Sequence, residues 1–461
     1  MKKVITIILT LAMLTSLFAL STSAITEADA SAWKYTVLMQ SSAGLSFTGD
    51  DVLFYGKYCM RGMAISQDGK YMFGGYLNPS GSGSIEMFET ATGKVVSGIQ
   101  YIQPENSKSS YPKGLATDDR GYLYAALAWN PNNTKADLAV YEYENGLKQI
   151  SYTNVVTTSE TVKTGVNGIT VEQINGMYFA YIVVNYDVDY LVRMNVTDPA
   201  NPTLDPTFGE NGMIDLQKEP YNIKEANYLD VDTDGTIYLA CNANEGRVVK
   251  VLSTDGTIVL NTFPHETAYG VAIWGDYLFV TTQKTGKVGI YNKSLLTPVA
   301  SIEVTSDNIV LPIDRDGIVI NSGVSSLCNV AVINDILFLG DQADGSSGFD
   351  NIFAVGLTAE AAATVEAYSK AIHDRLAAAY PEKTEPEETT KSPDEETTEA
   401  PKDETTEAPK DETTNAPKDE QTNAPTTEAP TTEKKGCGGF VAGAAMIVVL
   451  LGTAVVLKKR D

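Results

Sequence analysis

The stretch KGLATDDRGYLYAAL, Lys113 to Leu127, decides how this chain is read. A short strand-like run leads into Asp118-Asp119-Arg120-Gly121, and a second run rich in Tyr, Leu and Ala follows. Taken alone, the acidic knot resembles a metal or catalytic loop. The same pattern returns in RGMAISQDGKYMFGG from Arg61, NGITVEQINGMYFAY from Asn167 and NYLDVDTDGTIYLAC from Asn227. It recurs in YGVAIWGDYLFVTT from Tyr269 and CNVAVINDILFLGD from Cys328. Asp68-Gly69, Arg120-Gly121 and Asp234-Gly235 then occupy one aligned place, where tight strand-to-strand turns favour Asp and Gly for backbone reasons. The knot reads as a turn.

Six such units, spaced by 40 to 60 residues, argue for a repeat architecture. Each continues in the same manner. After YGVAIWGDYLFVTT come GKVGIYN (Gly286 to Asn292) and TPVASIEV (Thr297 to Val304), giving four short strands per unit. Four antiparallel strands per repeat without long helical patterns predict an all-β chain, a six-bladed β-propeller. The last unit supplies only three strands, and a lone strand, WKYTVLMQ (Trp33 to Gln40), precedes the first. That strand would complete the last blade and close the ring, which removes exposed sheet edges. A seven-bladed ring is the alternative, if Val52 to Cys59 or the insertion from Asp307 to Gly323 builds another blade. After the propeller, Val365, Tyr368, Ile372 and Leu376 fall at helical spacing, so residues 358–380 are expected to form one helix.

The recurring pattern of Gly, an apolar residue and Ala, then Gly-x-Leu/Ile-Tyr/Phe, resembles the blades of NHL, YVTN and gluconolactonase-type propellers. It is clearest in KGLATDDRGYLYAAL and YGVAIWGDYLFV and spans Arg61 to Leu357. The resemblance implies architecture more than activity, since that superfamily includes lactonases, lyases and pure binding modules.

The ends speak to location. Lys2 and Lys3 precede an apolar run from Val4 to Leu20, and small residues follow, with cleavage expected after Ala24 or after Ala30. Residues 1–30 therefore read as a signal peptide, leaving the propeller as 31–357. Residues 381–435 are rich in Pro, Thr and Glu and carry the APKDE repeat. They cannot bury enough apolar surface to order themselves and read as a disordered stalk. At about 3.1 Å per residue this stalk would reach ~170 Å. Residues 436–457 carry no charge and are long enough to cross a bilayer. Residues 458–461 hold Lys458, Lys459 and Arg460, which would mark the cytoplasmic side. This carboxyl end is similar to membrane anchors of Gram-positive surface proteins, although no LPxTG signal precedes it. The expected location is the bacterial cell surface, single-pass, with the propeller outside.

A net charge of −25 speaks against nucleic-acid binding, which needs basic patches. With two histidines, His265 and His373, histidine-rich metal chemistry is excluded. Cys59, Cys241, Cys328 and Cys437 are too few for a disulfide framework, although Cys59 and Cys328 are candidates to pair. DVDTDG (Asp230 to Gly235) begins like a calcium loop, but its twelfth position is Cys241 rather than a glutamate, so it reads as a turn. The same holds for DRDG, Asp314 to Gly317.

The column that opens each unit carries the candidate site: Arg61, Lys113, Asn167, Asn227, Tyr269 and Cys328. A packing column would be apolar, whereas this one is mostly polar. It is expected at the channel mouth, with Arg61 and Lys113 as charge anchors for a neutral or anionic ligand. Asn185, Asn242, Asn244 and Gln283 are expected on the same face. Trp129, Trp274, Tyr76 and Tyr186 are candidates for stacking on sugars. The column lacks the carboxylates a gluconolactonase-type metal site needs, so no metal, no cofactor and no catalytic residue are assigned. The expected function is a surface binding or scaffold module for a glycan, wall component or protein; an extracellular lactonase, hydrolase or lyase is the alternative.

Overall fold

Turn residues between runs of Tyr, Val, Ile and Leu fold each repeat into an essentially antiparallel sheet, and the described residues form six sheets, four of four strands and two of five. The computed structural model describes residues 24–42, 59–77, 83–100, 111–128, 135–159, 161–244, 246–311, 324, 326–342 and 349–379. The chain divides into two units, 1–383 and 384–461. All described residues lie in the first. Most of the expected leader, the stalk, the membrane segment and the tail lie outside them. Among the described residues no helix is long and apolar enough to cross a membrane.

Blade 1 runs Cys59–Ile65, Tyr71–Leu77, Gly83–Glu89 and Lys94–Gln100; blade 2 runs Tyr111–Thr117, Tyr122–Ala128, Lys135–Glu142 and Lys148–Thr157. Blade 3 begins with Thr164–Ile174, Met177–Tyr186 and Tyr190–Asn195, and two short strands, Thr203–Leu204 and Met213–Asp215, share its outer edge. Blade 4 runs Ile223–Val231, Ile237–Ala243, Gly246–Leu252 and Val259–Pro264; blade 5 runs Ala268–Trp274, Tyr277–Thr282, Lys287–Asn292 and Pro298–Glu303. Consecutive first strands touch one another in order, and that of blade 6, Leu327–Ile333, touches that of blade 1, so the ring is closed and six-bladed.

Blade 6 takes its next strands from Ile336–Asp341 and Phe349–Gly356, and its fourth from Tyr35–Ser42, as the three-strand last unit implies. Thr36 pairs with Ala354 and Ser42 with Phe349, so the two ends of the propeller are zipped in one antiparallel ladder. Ile309–Val310 adds to the same sheet in parallel beside Tyr35 and Thr36. The described part of the 307–323 insertion thus extends blade 6 and starts no seventh blade. The remainder of that insertion, with DRDG, and most of Val52 to Cys59 lie outside the described residues.

Two helices cover the closure. Helix α1, Glu27–Ala32, starts from a capping box in which the Thr26 hydroxyl accepts the Asp29 N–H and the Asp29 carboxylate accepts the Thr26 N–H. Ile25 and Ala30 are buried against Tyr277, Val288 and Ile302 of blade 5, and the Ile25 N–H donates to the Tyr277 hydroxyl at 2.9 Å. Packing therefore begins at Ile25, ahead of the Ser31 start expected for the propeller. Helix α2, Ala359–Ala379, buries Ala361, Val365, Ile372 and Leu376 against Leu38, Phe88 and Ile352. Each buried aliphatic side chain contributes ~1.5–3 kcal/mol. Arg375 donates to the Thr92 carbonyl at 2.9 Å and ties α2 to blade 1. His373 sits on the exposed side of α2.

The Asp118–Gly121 knot is a turn, and it also staples two blades. Asp118 Oδ1 accepts the N–H groups of Arg120 and Tyr122, while Oδ2 accepts the Tyr124 hydroxyl and the Arg120 guanidinium at 2.6 Å. Arg120 reaches on to the carbonyls of Val196 and Thr197 in blade 3 and lies 3.6 Å over the Tyr178 ring. Arg120→Ala would leave the buried Asp118 carboxylate without its cation. We expect it to lower stability by about 2–3 kcal/mol, read as a shifted midpoint in urea unfolding; an unchanged midpoint would make the staple ornamental.

Candidate functional site

Each first strand carries an irregularity in its pairing that falls on the predicted column, and that of blade 4 carries a second, between Ile223 and Glu225. The register slips between Met60 and Gly62, Pro112 and Gly114, Val166 and Ile169, Ala226 and Leu229, Ala268 and Val271, and Leu327 and Asn329. Arg61, Lys113, Asn167, Asn227, Tyr269 and Cys328 are the bulged residues. A bulge kinks the strand and re-aims its side chain, which is how one ring of six residues forms from six distant segments.

The residue after each bulge sets the waist of the ring. Gly62, Gly114, Gly168 and Gly270 hold this place in four blades because neighbouring first strands come too close for a side chain. A Cβ on Gly168 would stand 2.8 Å from Tyr228 Cα, and one on Gly270 would stand 2.7 Å from the Cys328 carbonyl oxygen. Blades 4 and 6 break the rule with Tyr228 and Asn329. Tyr228 is buried and reaches across the ring: its hydroxyl donates to the Arg61 carbonyl at 2.8 Å and also contacts the Lys113 carbonyl. It packs on Tyr269, with ring centroids 5.3 Å apart, and on Cys328. Tyr228 bridges the waist of the channel.

The column itself is mixed. Asn167 and Asn227 turn sideways, donating to the carbonyls of Ala226 and Ala268 in the next blade at 2.6 and 2.9 Å. Asn167, Tyr269 and Cys328 are buried, while Arg61, Lys113 and Asn227 remain half-buried. The Lys113 ammonium lies 5.9 Å from the exposed Tyr186 ring. Burial raises the Cys328 thiol to about 11, and none of Cys59, Cys241 and Cys328 is disulfide-bonded, so the candidate Cys59–Cys328 disulfide is not formed. Asn185 and Asn242 pair with Gly165 and Glu225 near the starts of the first strands, on the same side as the column. Tyr76 is fully buried in the blade 1 core and is not presented for sugar stacking, while the half-buried Trp274 donates to Asp335 and stacks on Tyr277. Trp129 lies outside the described residues.

Beyond Tyr228, toward the ends of the first strands, lies a cavity of about 470 Å³. The column reading does not foresee it. One aligned position lining it reads Ala64, Ala116, Thr170, Asp230, Ala272 and Ala331. Asp230 departs from this small-residue column. It accepts the N–H groups of Ile273 and Val231 at 2.8 and 2.9 Å and the Thr170 hydroxyl at 3.4 Å. Burial raises its carboxyl to about 6. Glu172, two residues beyond Thr170, is pushed up to about 8 by burial and by the charges of Asp230 and Asp232. Asp232 pairs with Lys293 at 2.6 Å. The DVDTDG segment ends in a tight turn, with Asp234 accepting the Thr236 N–H and Gly235 at φ +86°. Among the described residues no group of three His, Cys, Asp or Glu side chains is placed to hold a metal ion. His265 lies away from the cavity, between the hydroxyls of Tyr291 and Thr282 at 2.7 and 2.8 Å, and burial depresses its imidazole to about 4.

No family model matches the chain, and no curated protein matches it. Among solved structures it is similar to the β-propeller domain of Myceliophteria thermophila Cps50 (Swd1), at 11% identity and TM-score 0.41 over 64% of this chain and 96% of that one. It is also similar to the WD40 β-propeller domain of Doa1, at 11% identity and TM-score 0.40 over 69% and 96%. A chain in a nidogen/laminin complex is similar at 14% identity and TM-score 0.38 over 53% and 80%. At these scores none of them bears on what this chain binds or does.

Proposed function

We propose that this chain is an exported binding module, held at a bacterial surface by its stalk and carboxyl-terminal segment, whose ligand meets the propeller at the Arg61/Lys113 side of the channel. The observation that carries the reading is that the backbone carbonyls of Arg61 and Lys113 meet at the single Tyr228 hydroxyl, which ties the two cation-bearing bulges to one point of the ring. Two half-buried cations, Lys113 near the exposed Tyr186 ring, suit an acidic or hydroxyl-rich partner, such as a glycan, a wall component or an acidic protein surface. The gluconolactonase-like reading draws no support from the described residues, which bring together no metal-ligating trio.

Export by leader cleavage after Ala24 keeps Ile25 and α1 packed on blade 5, whereas cleavage after Ala30 removes them. The functional test is a glycan and protein binding screen with residues 25–379, beside Arg61→Ala and Lys113→Ala. We expect each substitution to weaken capture by about tenfold, the loss of one charge-assisted contact. If the wild type binds and both variants bind equally well, the Arg61/Lys113 site is wrong.

A further inference from the structure

On the opposite side of Tyr228, we propose that the 470 Å³ channel cavity is a second binding site, for a small organic ammonium that also carries a hydroxyl, such as an amino alcohol or amino sugar. The charge pattern calls for a cation. Glu172 and Asp230 line the cavity, and neither forms an ion pair among the described residues. The one cation among the described lining residues, Lys293, is already held by Asp232. Partly buried carboxylates without a counter-charge are costly, and a cation placed between them relieves that cost.

Asn329 supplies the second observation. It is 3% exposed and lines the same cavity, yet neither its amide nitrogen nor its oxygen has a hydrogen-bond partner among the described residues. An orphaned buried amide costs about 1–3 kcal/mol unless something meets it. An ammonium N–H satisfies its oxygen, and a hydroxyl oxygen satisfies its nitrogen. Size and wall chemistry agree. The volume falls in the range of small-molecule sites, and Met63, Leu115, Ile169, Val271 and Val330 offer apolar surface to a carbon skeleton. An inorganic cation fits less well, because among the described residues no three His, Cys, Asp or Glu side chains converge.

Charge repulsion supports the same view. Glu172 faces Asp230 and Asp232 from the adjacent blade, with Lys293 of blade 5 across from them, and its carboxyl rises to about 8. A bound ammonium favours the ionised form, so binding of ethanolamine, which stays protonated across this range, should release protons and tighten as pH rises from about 6 to about 8.

The test is calorimetric titration of residues 25–379 with ethanolamine, glucosamine, neutral N-acetylglucosamine and calcium chloride. At least one of the two amines is expected to bind, and N-acetylglucosamine about tenfold or more weaker than glucosamine. Glu172→Gln, Asp230→Asn and Asn329→Ala should each weaken amine binding to a similar extent. Thermal melts identify any variant that has lost its fold, and the near-isosteric Glu172→Gln keeps the comparison valid if Asp230→Asn has. Failure of both amines, equal binding of the neutral sugar, or amine binding untouched by Glu172→Gln would each overturn the proposal. So would calcium binding that Glu172→Gln abolishes, since the site would then belong to an inorganic ion. Arg61→Ala should leave amine binding unchanged, which separates this site from the one on the other side of Tyr228.

Discussion

Replacing Tyr228 with Ala is expected to lower the stability of the propeller by about 4–5 kcal/mol, and replacing it with Phe by about 1–2 kcal/mol. The alanine variant empties the waist of the ring, where Tyr228 packs on Tyr269 and Cys328. First strands already in backbone contact on either side, as at Gly168 and Gly270, cannot collapse inward to refill that space. The phenylalanine variant keeps the volume and deletes only the hydroxyl, so its cost measures the link to the carbonyls of blades 1 and 2. Urea unfolding with a shared slope gives both numbers. Equal losses in the two variants would assign the effect to the hydroxyl, and a silent phenylalanine variant would refute the bridge across the ring.

A second large effect is expected from deleting Tyr35–Ser42. This segment is the outermost antiparallel strand of blade 6, and it buries Tyr35, Val37, Leu38 and Met39. At about 1.5–3 kcal/mol each, these four side chains contribute on the order of 8 kcal/mol, which rivals the whole stability of a typical domain. Deletion also bares the ladder of Phe349–Gly356 and takes away part of the surface under α2. Such an edge invites pairing between chains, so the deleted protein should elute as oligomers or aggregate and lose its cooperative melt. A synthetic peptide spanning residues 33–42, added during refolding, should restore monomers by adding the strand in trans. Monomeric, cooperatively melting protein without the peptide would show that ring closure does not depend on this strand.

Much of the fold is legible in the chain because it rests on local patterns repeated six times. Asp234-Gly235 and Arg120-Gly121 announce turns from their own backbone preferences. The Val365, Ile372 and Leu376 spacing announces the buried stripe of α2. The three-strand last unit and the lone strand at Trp33 to Gln40 can be matched by counting alone. The opening column was also legible, since mostly polar residues stand where packing residues would be apolar, and all six fall at bulges. A further signal was present but harder to weigh. The next column reads Gly, Gly, Gly, Tyr, Gly, Asn, and its two exceptions are the residues that reach into the ring.

What the sequence by itself determined is therefore the repeat, its strand order, the closing strand and the nature of the acidic turns, all consequences of short-range periodicity, while six blades against seven was left to the contacts between first strands. Only the tertiary structure decided what the channel contains. Tyr228 meets Arg61 and Lys113 from more than a hundred residues away, and Thr170 and Asp230 become neighbours only when two blades pack side by side. The raised carboxyls of Glu172 and Asp230 and the unpartnered amide of Asn329 follow from burial by six converging strands. Burial of that kind is a property of the closed ring, and no single repeat contains it.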